Sequence, residues 1–281
     1  RPLDLGMRQK MRDEIKPVLE TKKGLVIVSE PPNGGGLTSL FHAVLSSMDR
    51  YTRGFVSIED AGEKEIDVEN IVEKDFDGAA GETPLTHLPK ILREYPDVLV
   101  VPDMKDVESA AALCDQANQD RTVLTTARAK EASEALLRVA QLKMPLDQLA
   151  SAVKLVLNQR MVRKLCDKCK EAYPPPPQLL QQLGIPPGRV EALYRPPTPD
   201  PEKPQEPCGQ CRGIGYFGRT GMFEALIVDD AVREALQKTP QLAAVRQAAR
   251  KAGMRGLQEE GVLLVVTGVT SLPELMRVLK E

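Results

Sequence analysis

The sequence predicts an α/β fold: a mostly parallel sheet covered by helices, with a cysteine-closed insertion and a helical C-terminal part. Three observations predict it. Short runs of β-branched and aliphatic residues alternate with helical patterns up to about Leu165, the order expected of a parallel sheet with both faces covered. Residues 24–48 read as strand, Pro- and Gly-rich loop, then helix. Four of the five cysteines form two Cys-x-x-Cys pairs, Cys166 with Cys169 and Cys208 with Cys211, on either side of a proline-dense stretch.

Taken in order, residues 3–21 read as a charged amphipathic helix broken near Pro17. GLVIVS at 24–29 is an apolar run with β-branched residues, a strand buried on both faces. EPPNGGGLTS follows, then a helix with Leu40, Ala43, Val44 and Ser47 on one face and Thr38 or Ser39 as its cap. Further strands are expected at 54–59, 97–101 and 121–126, with an edge strand within 66–76. Helices are expected at 85–93, 106–118, 130–139 and 146–157. Between the cysteine pairs, so many prolines allow only a loop-rich excursion with short helical pieces at 178–183 and 189–194. GIGYFGRTG reads as a glycine-punctuated turn in which Gly218–Thr220 is only a bend, and 222–228 returns as a strand. Helices at 231–236, 242–251, 257–266 and 272–279 close the chain, and no internal repeat is visible.

Composition bounds the function. The chain has 281 residues, 42% of them hydrophobic and 28% charged, enough for a sizeable core in two or more units. A net charge of −2 creates no basic field, which argues against nucleic acid as a partner. No apolar run approaches the roughly 18 residues that span a bilayer, and no signal-peptide pattern opens the chain. The expectation is a cytoplasmic protein, peripheral to a membrane at most. The start at Arg1, without Met, reads as that of a fragment.

The two cysteine pairs admit three readings, a tetrathiolate metal site, a pair of disulfides and unrelated thiols. A charged chain without a secretion signal favours a reducing compartment, and therefore zinc held by Cys166, Cys169, Cys208 and Cys211. Such a metal, contributing roughly 10–16 kcal/mol of folding free energy, would offset the cost of ordering the proline-rich excursion. Cys114 lies in an apolar helical pattern and reads as a small core residue.

Strand, glycine loop and helix is the architecture of a phosphate-binding loop, where backbone N–H groups and a helix N-terminus hold an anion. The pattern G-x-x-x-x-G-K-[ST] is nevertheless not met. Glu30 stands in the first glycine's place, and no lysine follows Gly36.

The motifs SIEDAGE, YPDVLVV, QRMVRKLCDKC, CGQCRGIGYFGRTGMFEAL and AARKAGMRGLQEEGVLLVVTGVTSLPELMRV occur in an informative order. With them, the chain from about Leu5 onward resembles the C-terminal motor domain of the type II secretion and type IV pilus assembly ATPases. The resemblance implies a RecA-like P-loop NTPase fold and assembly as a homo- or hetero-hexamer. It also implies inner-membrane platform proteins as partners, on the cytoplasmic side of that membrane. It further implies a nucleotide-binding-type domain over 1–165, a tetracysteine zinc subdomain over 166–211 and a C-terminal strand and helical subdomain over 212–281. Zinc would be structural, because four thiolates leave no open coordination position.

The same resemblance places a nucleotide and magnesium at Asn33, Gly34, Gly35, Gly36, Leu37 and Thr38. The lysine position is then Gly36 or, one residue on, Leu37; neither supplies an ammonium. A Gly-Glu pair that orients water or magnesium becomes Pro102-Asp103, and a histidine after the fourth strand becomes Arg128. Glu59 and Asp60 keep the family's acidic pair, and Asp106 and Glu108 fit as well. Asp103 and Glu59 are therefore the residual catalytic candidates, against the simpler reading of acids solvated at strand ends. His42, His87 and the cluster Arg160, Arg163 and Lys164 read as structural or solvated. Three readings follow: a family subunit impaired in hydrolysis, a slow ATPase in which Lys105 or Arg128 replaces the missing charge, and a stand-alone interaction module.

Overall fold

The computed structural model describes residues 5–34, 36–64, 66–186, 188–198 and 206–280. Its elements run α1 (Gln9–Leu19), β1 (Gly24–Glu30), α2 (Leu37–Ser47), β2 (Phe55–Asp60), β3 (Val72–Phe76), α3 (Pro84–Ile91), β4 (Val98–Val101), α4 (Val107–Gln119), β5 (Thr122–Arg128), α5 (Ala132–Ala140), α6 (Leu146–Ala152) and β6 (Val153–Leu165). They continue with β7 (Glu171–Tyr173), α7 (Pro177–Gln182), β8 (Leu193–Arg195), β9 (Tyr216–Ile227), α8 (Asp230–Lys238), α9 (Leu242–Lys251), α10 (Leu257–Val266) and α11 (Leu272–Lys280). The chain forms two compact units, Arg1–Gln159 with Phe223–Arg255, and Arg160–Met222 with Gly256–Glu281. Two of their borders lie inside β6 and β9, and the third lies between α9 and α10.

In the first unit the sheet has the order β3-β2-β4-β5-β1-β6-β9. β1 is parallel to β5 and β6, and β2 is parallel to β3 and β4. Successive residues of a strand point to opposite faces, so Leu25 and Ile27 enter one core while Val26 and Val28 enter the other. Val98 and Val100 likewise separate from Leu99 and Val101. Both faces are dry, which is why these strands read as unbroken apolar runs. One late segment completes this unit. Glu224 accepts the Ala132 N–H at the start of α5 (2.8 Å), and Arg246 on α9 grips Glu131 through two hydrogen bonds of 3.0 and 2.9 Å.

Several expectations need correction. The helix at 146–157 ends at Ala152, and Val153 begins a 13-residue strand. Leu146, Leu149, Ala150, Val153 and Leu157 keep helical spacing, but the run 155–157 is buried on both faces of the sheet, and a short apolar run does not distinguish the two states. The piece at 189–194 is not helical: β8 pairs antiparallel with β7, Tyr173 opposite Leu193. Residues 218–220 belong to β9, not to a bend. Pro17 does not break α1, which runs on to Leu19. Neither Thr38 nor Ser39 caps α2, whose cap position is Gly36.

The second unit has a small core of Val162, Leu193, Met222, Leu257, Val265, Leu275 and Val278. α10 packs so closely that a Cβ on Gly261 would lie 2.1 Å from Leu275 Cδ1 and 2.8 Å from Met222 Sδ. Beside this core lies Glu274, whose side chain is fully buried. Its carboxylate accepts the Arg163 N–H at 3.0 Å, Arg163 Nη2 at 2.6 Å and Arg277 Nη2 at 2.8 Å. Burial alone would raise this carboxyl, but Arg277 and Arg163 overcome it and hold its pKa at about 2, against an ordinary 4.5. A carboxyl depressed on folding stabilises above its unfolded pKa and loses that contribution as pH falls toward the folded value. Glu274→Gln is therefore expected to lower unfolding free energy at pH 7 by on the order of 2–3 kcal/mol in denaturant titrations. The gap to wild type should narrow as pH falls from about 4.5 toward 2, when both proteins are compared at each pH.

Candidate functional site

Strands β1, β2, β4 and β5 end on the same side of the parallel sheet, where α/β folds place ligands. A cavity of about 590 Å³ opens there, lined in part by Leu37, Glu59, Asp60, Asp103, Lys105 and Arg128. Asn33, Gly34, Gly36 and Thr38 are exposed on the loop but do not line it. Gly35 lies outside the described residues. The Leu37 side chain is buried in the core beneath α2.

The acids at the strand ends already serve the chain. Glu59 is buried, and its Oε2 accepts the Ile66 N–H at 3.0 Å. Asp60 Oδ1 accepts the Gly62 N–H at 3.0 Å, and a Cβ on Gly78 would fall 2.1 Å from Asp60 Oδ2, so that glycine admits the carboxylate. Asp106 caps α4 by accepting the Ser109 N–H at 2.7 Å. Asp103 follows β4 with a φ of 60°, in the left-handed region, and its carboxylate is well exposed. Lys105 Nζ sits 2.7 Å from Glu63 and 3.9 Å from Asp103, and its hydrogen bond to Glu63 raises its pKa.

Glu30 is the residue with the most consequence. It ends β1 in register with Arg128 at the end of β5. Its carboxylate is buried and ion-paired with Arg128 Nη1, while Oε2 accepts the Leu37 N–H, the first of α2, at 2.9 Å. Its carbonyl accepts the Ala129 N–H at 2.7 Å. The helix N-terminus already holds a carboxylate, the loop brings no ammonium, and six acids line the cavity (Glu59, Asp60, Glu63, Glu82, Asp103 and Asp106) against Lys105, Arg128 and Arg138.

Sequence reasoning missed Glu82 and Arg138 as lining residues and missed the pairing of Glu30 with Arg128. The last left a signal: opposite charges stand at the ends of two strands, each departing from the pattern of its motif. His87 is a partner of Glu82 (3.1 Å), and Cys114 is buried against Met144 with its thiol pushed up to about 12 by burial.

A second constellation lies wholly in the second unit. The sulfurs of Cys166, Cys169, Cys208 and Cys211 all lie within 4.8 Å of one another, and all four thiols are free. Cys166 Sγ is 3.9 Å from Cys208 Sγ, and Cys169 Sγ is 3.5 Å from Cys211 Sγ. Four sulfurs on a tetrahedral ion at about 2.3 Å stand about 3.8 Å apart, so the set fits one metal ion. Each pair sits on a tight turn. The Gly215 N–H donates to Cys211 Sγ at 3.3 Å, and the Cys166 N–H donates to the Gly215 carbonyl at 2.9 Å. N–H groups of Cys211 and Gln210 bring the Cys208 pKa down to about 6, toward the thiolate a metal requires. Burial and the neighbouring thiols push Cys169 the other way, an opposition that a cation would relieve.

The family model described as "Type II/IV secretion system protein" matches residues 3–277. The type IV pilus assembly ATPase PilB of Thermus thermophilus is 28% identical over 275 residues, covering 97% of this chain and 30% of that protein. The protein transport protein HofB homolog of Escherichia coli is 31% identical over 98% of this chain and 56% of its own length. Type II secretion system protein E of Pseudomonas aeruginosa is 29% identical over 99% of this chain and 53% of its own. The chain thus spans between 30% and 56% of the length of these relatives. Among solved structures, the pilus retraction motor PilT with bound ADP superposes with a TM-score of 0.64 at 18% identity, covering 98% of this chain and 66% of that one. The ATPase DotB of Legionella pneumophila gives 0.63 at 14%, covering 99% and 64%. These two likenesses establish the fold.

Protein purified without chelator is expected to carry one tightly held metal ion per chain by elemental analysis, at the four-cysteine cluster. Cys208→Ser should cut that content to a small fraction and lower the melting temperature. Metal-free protein with unchanged melting would contradict the assignment.

Proposed function

Since the chain belongs to the type II/IV secretion system protein family, we propose that it is a hydrolysis-impaired subunit of such a machine, with a structural or regulatory part in place of a motor's. The observation that carries this reading is the condition of the phosphate loop. In nucleotide-hydrolysing loops of this type, a lysine reaches the β- and γ-phosphates and offsets the charge that develops in transfer. Here Gly36 and Leu37 occupy that stretch, and the three cations lining the cavity have partners: Lys105 with Glu63, Arg128 with Glu30 and Arg138 with Glu134. Losing one well-placed electrostatic donor in a water-poor site removes several kcal/mol of transition-state stabilisation. Asp103 and Glu59, the residual catalytic candidates, then have little to act upon. Asp103 is exposed, and Glu59 holds a backbone N–H of its own chain.

The four cysteines hold zinc in this reading, because a tetrahedral set of four thiolates suits that ion and leaves no coordination position for chemistry. The metal's work is to staple the small second unit. The subunit takes its place in a homo- or hetero-hexamer, on the cytoplasmic side of an inner membrane, against platform proteins of the secretion or pilus machine. No helix among the described residues is long and apolar enough to cross a membrane, in keeping with a peripheral seat.

Incubation with Mg-ATP is expected to give no steady phosphate release above a protein-free blank, at any concentration at which light scattering shows ring-sized particles. Saturable, steady release would sink the reading in favour of a slow motor. Monomer at every concentration would favour a stand-alone module.

A further inference from the structure

A glycine-rich loop that opens a helix leaves backbone N–H groups facing one point, and such a nest is completed by an anion. α2 needs one acutely. Its cap position is Gly36, which has no side chain to offer, and no acidic residue stands in its first turn. The group that answers the need comes from seven positions before the helix's first residue: Glu30 Oε2 takes the Leu37 N–H at 2.9 Å. We propose that the Glu30 carboxylate, locked by Arg128, is the resident anion of the α2 N-terminus, filling the seat of a phosphate so that the helix start is complete without nucleotide and does not admit one.

The placement is set by the sheet and not by the loop. Glu30 and Arg128 are register partners on adjacent parallel strands, so the carboxylate and guanidinium meet without any loop rearrangement. Only about a twentieth of the Glu30 side chain is exposed, and a carboxylate so buried persists as an anion only with a counter-charge and donors, which Arg128 and Leu37 supply. The neighbouring strand braces the arrangement. Asn158 on β6 donates to Ser29 Oγ and to the Ala129 carbonyl, each at 2.9 Å, and Gln159 Nε2 donates to the Gly36 carbonyl at 3.2 Å. The carbonyl that precedes Leu37 is thus held in place while the N–H of Leu37 is turned toward Glu30.

This deepens the reading given above, that the loop does not serve hydrolysis, and rests on it. The two can fail separately, because the test reads occupancy with inorganic phosphate and Mg-ADP and does not read turnover. Hydrogen exchange at the Leu37 amide and calorimetric titration with Mg-ADP would be measured on the whole chain as wild type, Glu30→Gln, Glu30→Gly and Arg128→Ala. Wild type should protect the Leu37 amide with no ligand present, and phosphate should not change that protection. Glu30→Gly should exchange at least about tenfold faster, regain protection with phosphate, and bind Mg-ADP about tenfold or more tighter than wild type. Glu30→Gln keeps the bulk of the occupant but not its charge and should loosen the Leu37 amide and admit Mg-ADP, less readily than Glu30→Gly does. Should Glu30→Gln exclude Mg-ADP as wild type does, bulk and not the anion is at work and the proposal fails. It fails equally if phosphate raises Leu37 protection in wild type, or if Glu30→Gly behaves as wild type does. If Glu30→Gly does not fold, Arg128→Ala decides: unlocking the carboxylate should loosen Leu37, and unchanged protection overturns the claim.

Discussion

A carboxylate buried between a helix N-terminus and a guanidinium has three stabilising influences and one large cost. The helix end offers an N–H and a partial positive charge, the arginine offers a full one, and the surrounding low dielectric strengthens both. Against them stands the desolvation of Glu30. The balance depends on all partners being held where they are, and in this chain β1, β5 and β6 hold them. The rest of the cleft follows. Arg128 is drawn to Glu30, Lys105 to Glu63 and Glu59 to the backbone at Ile66, so several of the charged groups at these strand ends have partners within the chain.

The second unit is organised on a different principle. Among the described residues a cluster of seven buried apolar residues, with eight partly buried ones packed against it, makes a small core, and small cores need further devices to order a proline-rich excursion. Two devices compensate. One is the buried Glu274 with its two arginines, where an ion pair is justified because every charge has a geometric partner. The other is the four-sulfur cluster, whose separations suit a single ion and whose turns aim backbone N–H groups at the sulfurs. Both add cohesion where hydrophobic mass is small.

Much of this was legible in the chain itself, for reasons that can be stated. Strands such as VLVV at 98–101 announce themselves because a sheet buried on both faces leaves no polar alternation. The cysteine pairs announce themselves because thiols at that spacing have few uses. β6 did not, since helical and extended spacing coincide from Leu146 to Leu157, and only the partner strand β1 decides between them. β8 escaped for a like reason, being three residues long and defined by its pairing with β7. In the cleft, Glu30 and Arg128 were each visible as departures, but 98 positions separate them, and their meeting is a property of strand order. Arg138 and Glu82 reach the same cavity from helix and loop, where local pattern carries no hint of convergence.

The interleaving of the two units has a consequence for how the chain is made. Glu131 and the start of α5 wait for Arg246 and Glu224, roughly a hundred residues downstream, while the segment 160–222 must be synthesised in between and is itself unfinished until 256–280 arrive. Domains generally fold as units during synthesis, yet here the first unit is complete only once residue 255 has been made, and the second still lacks residues 256 onward at that point. Neither 1–159 nor 160–222 alone carries a whole unit, so excising either as a continuous piece would leave its partner segment behind.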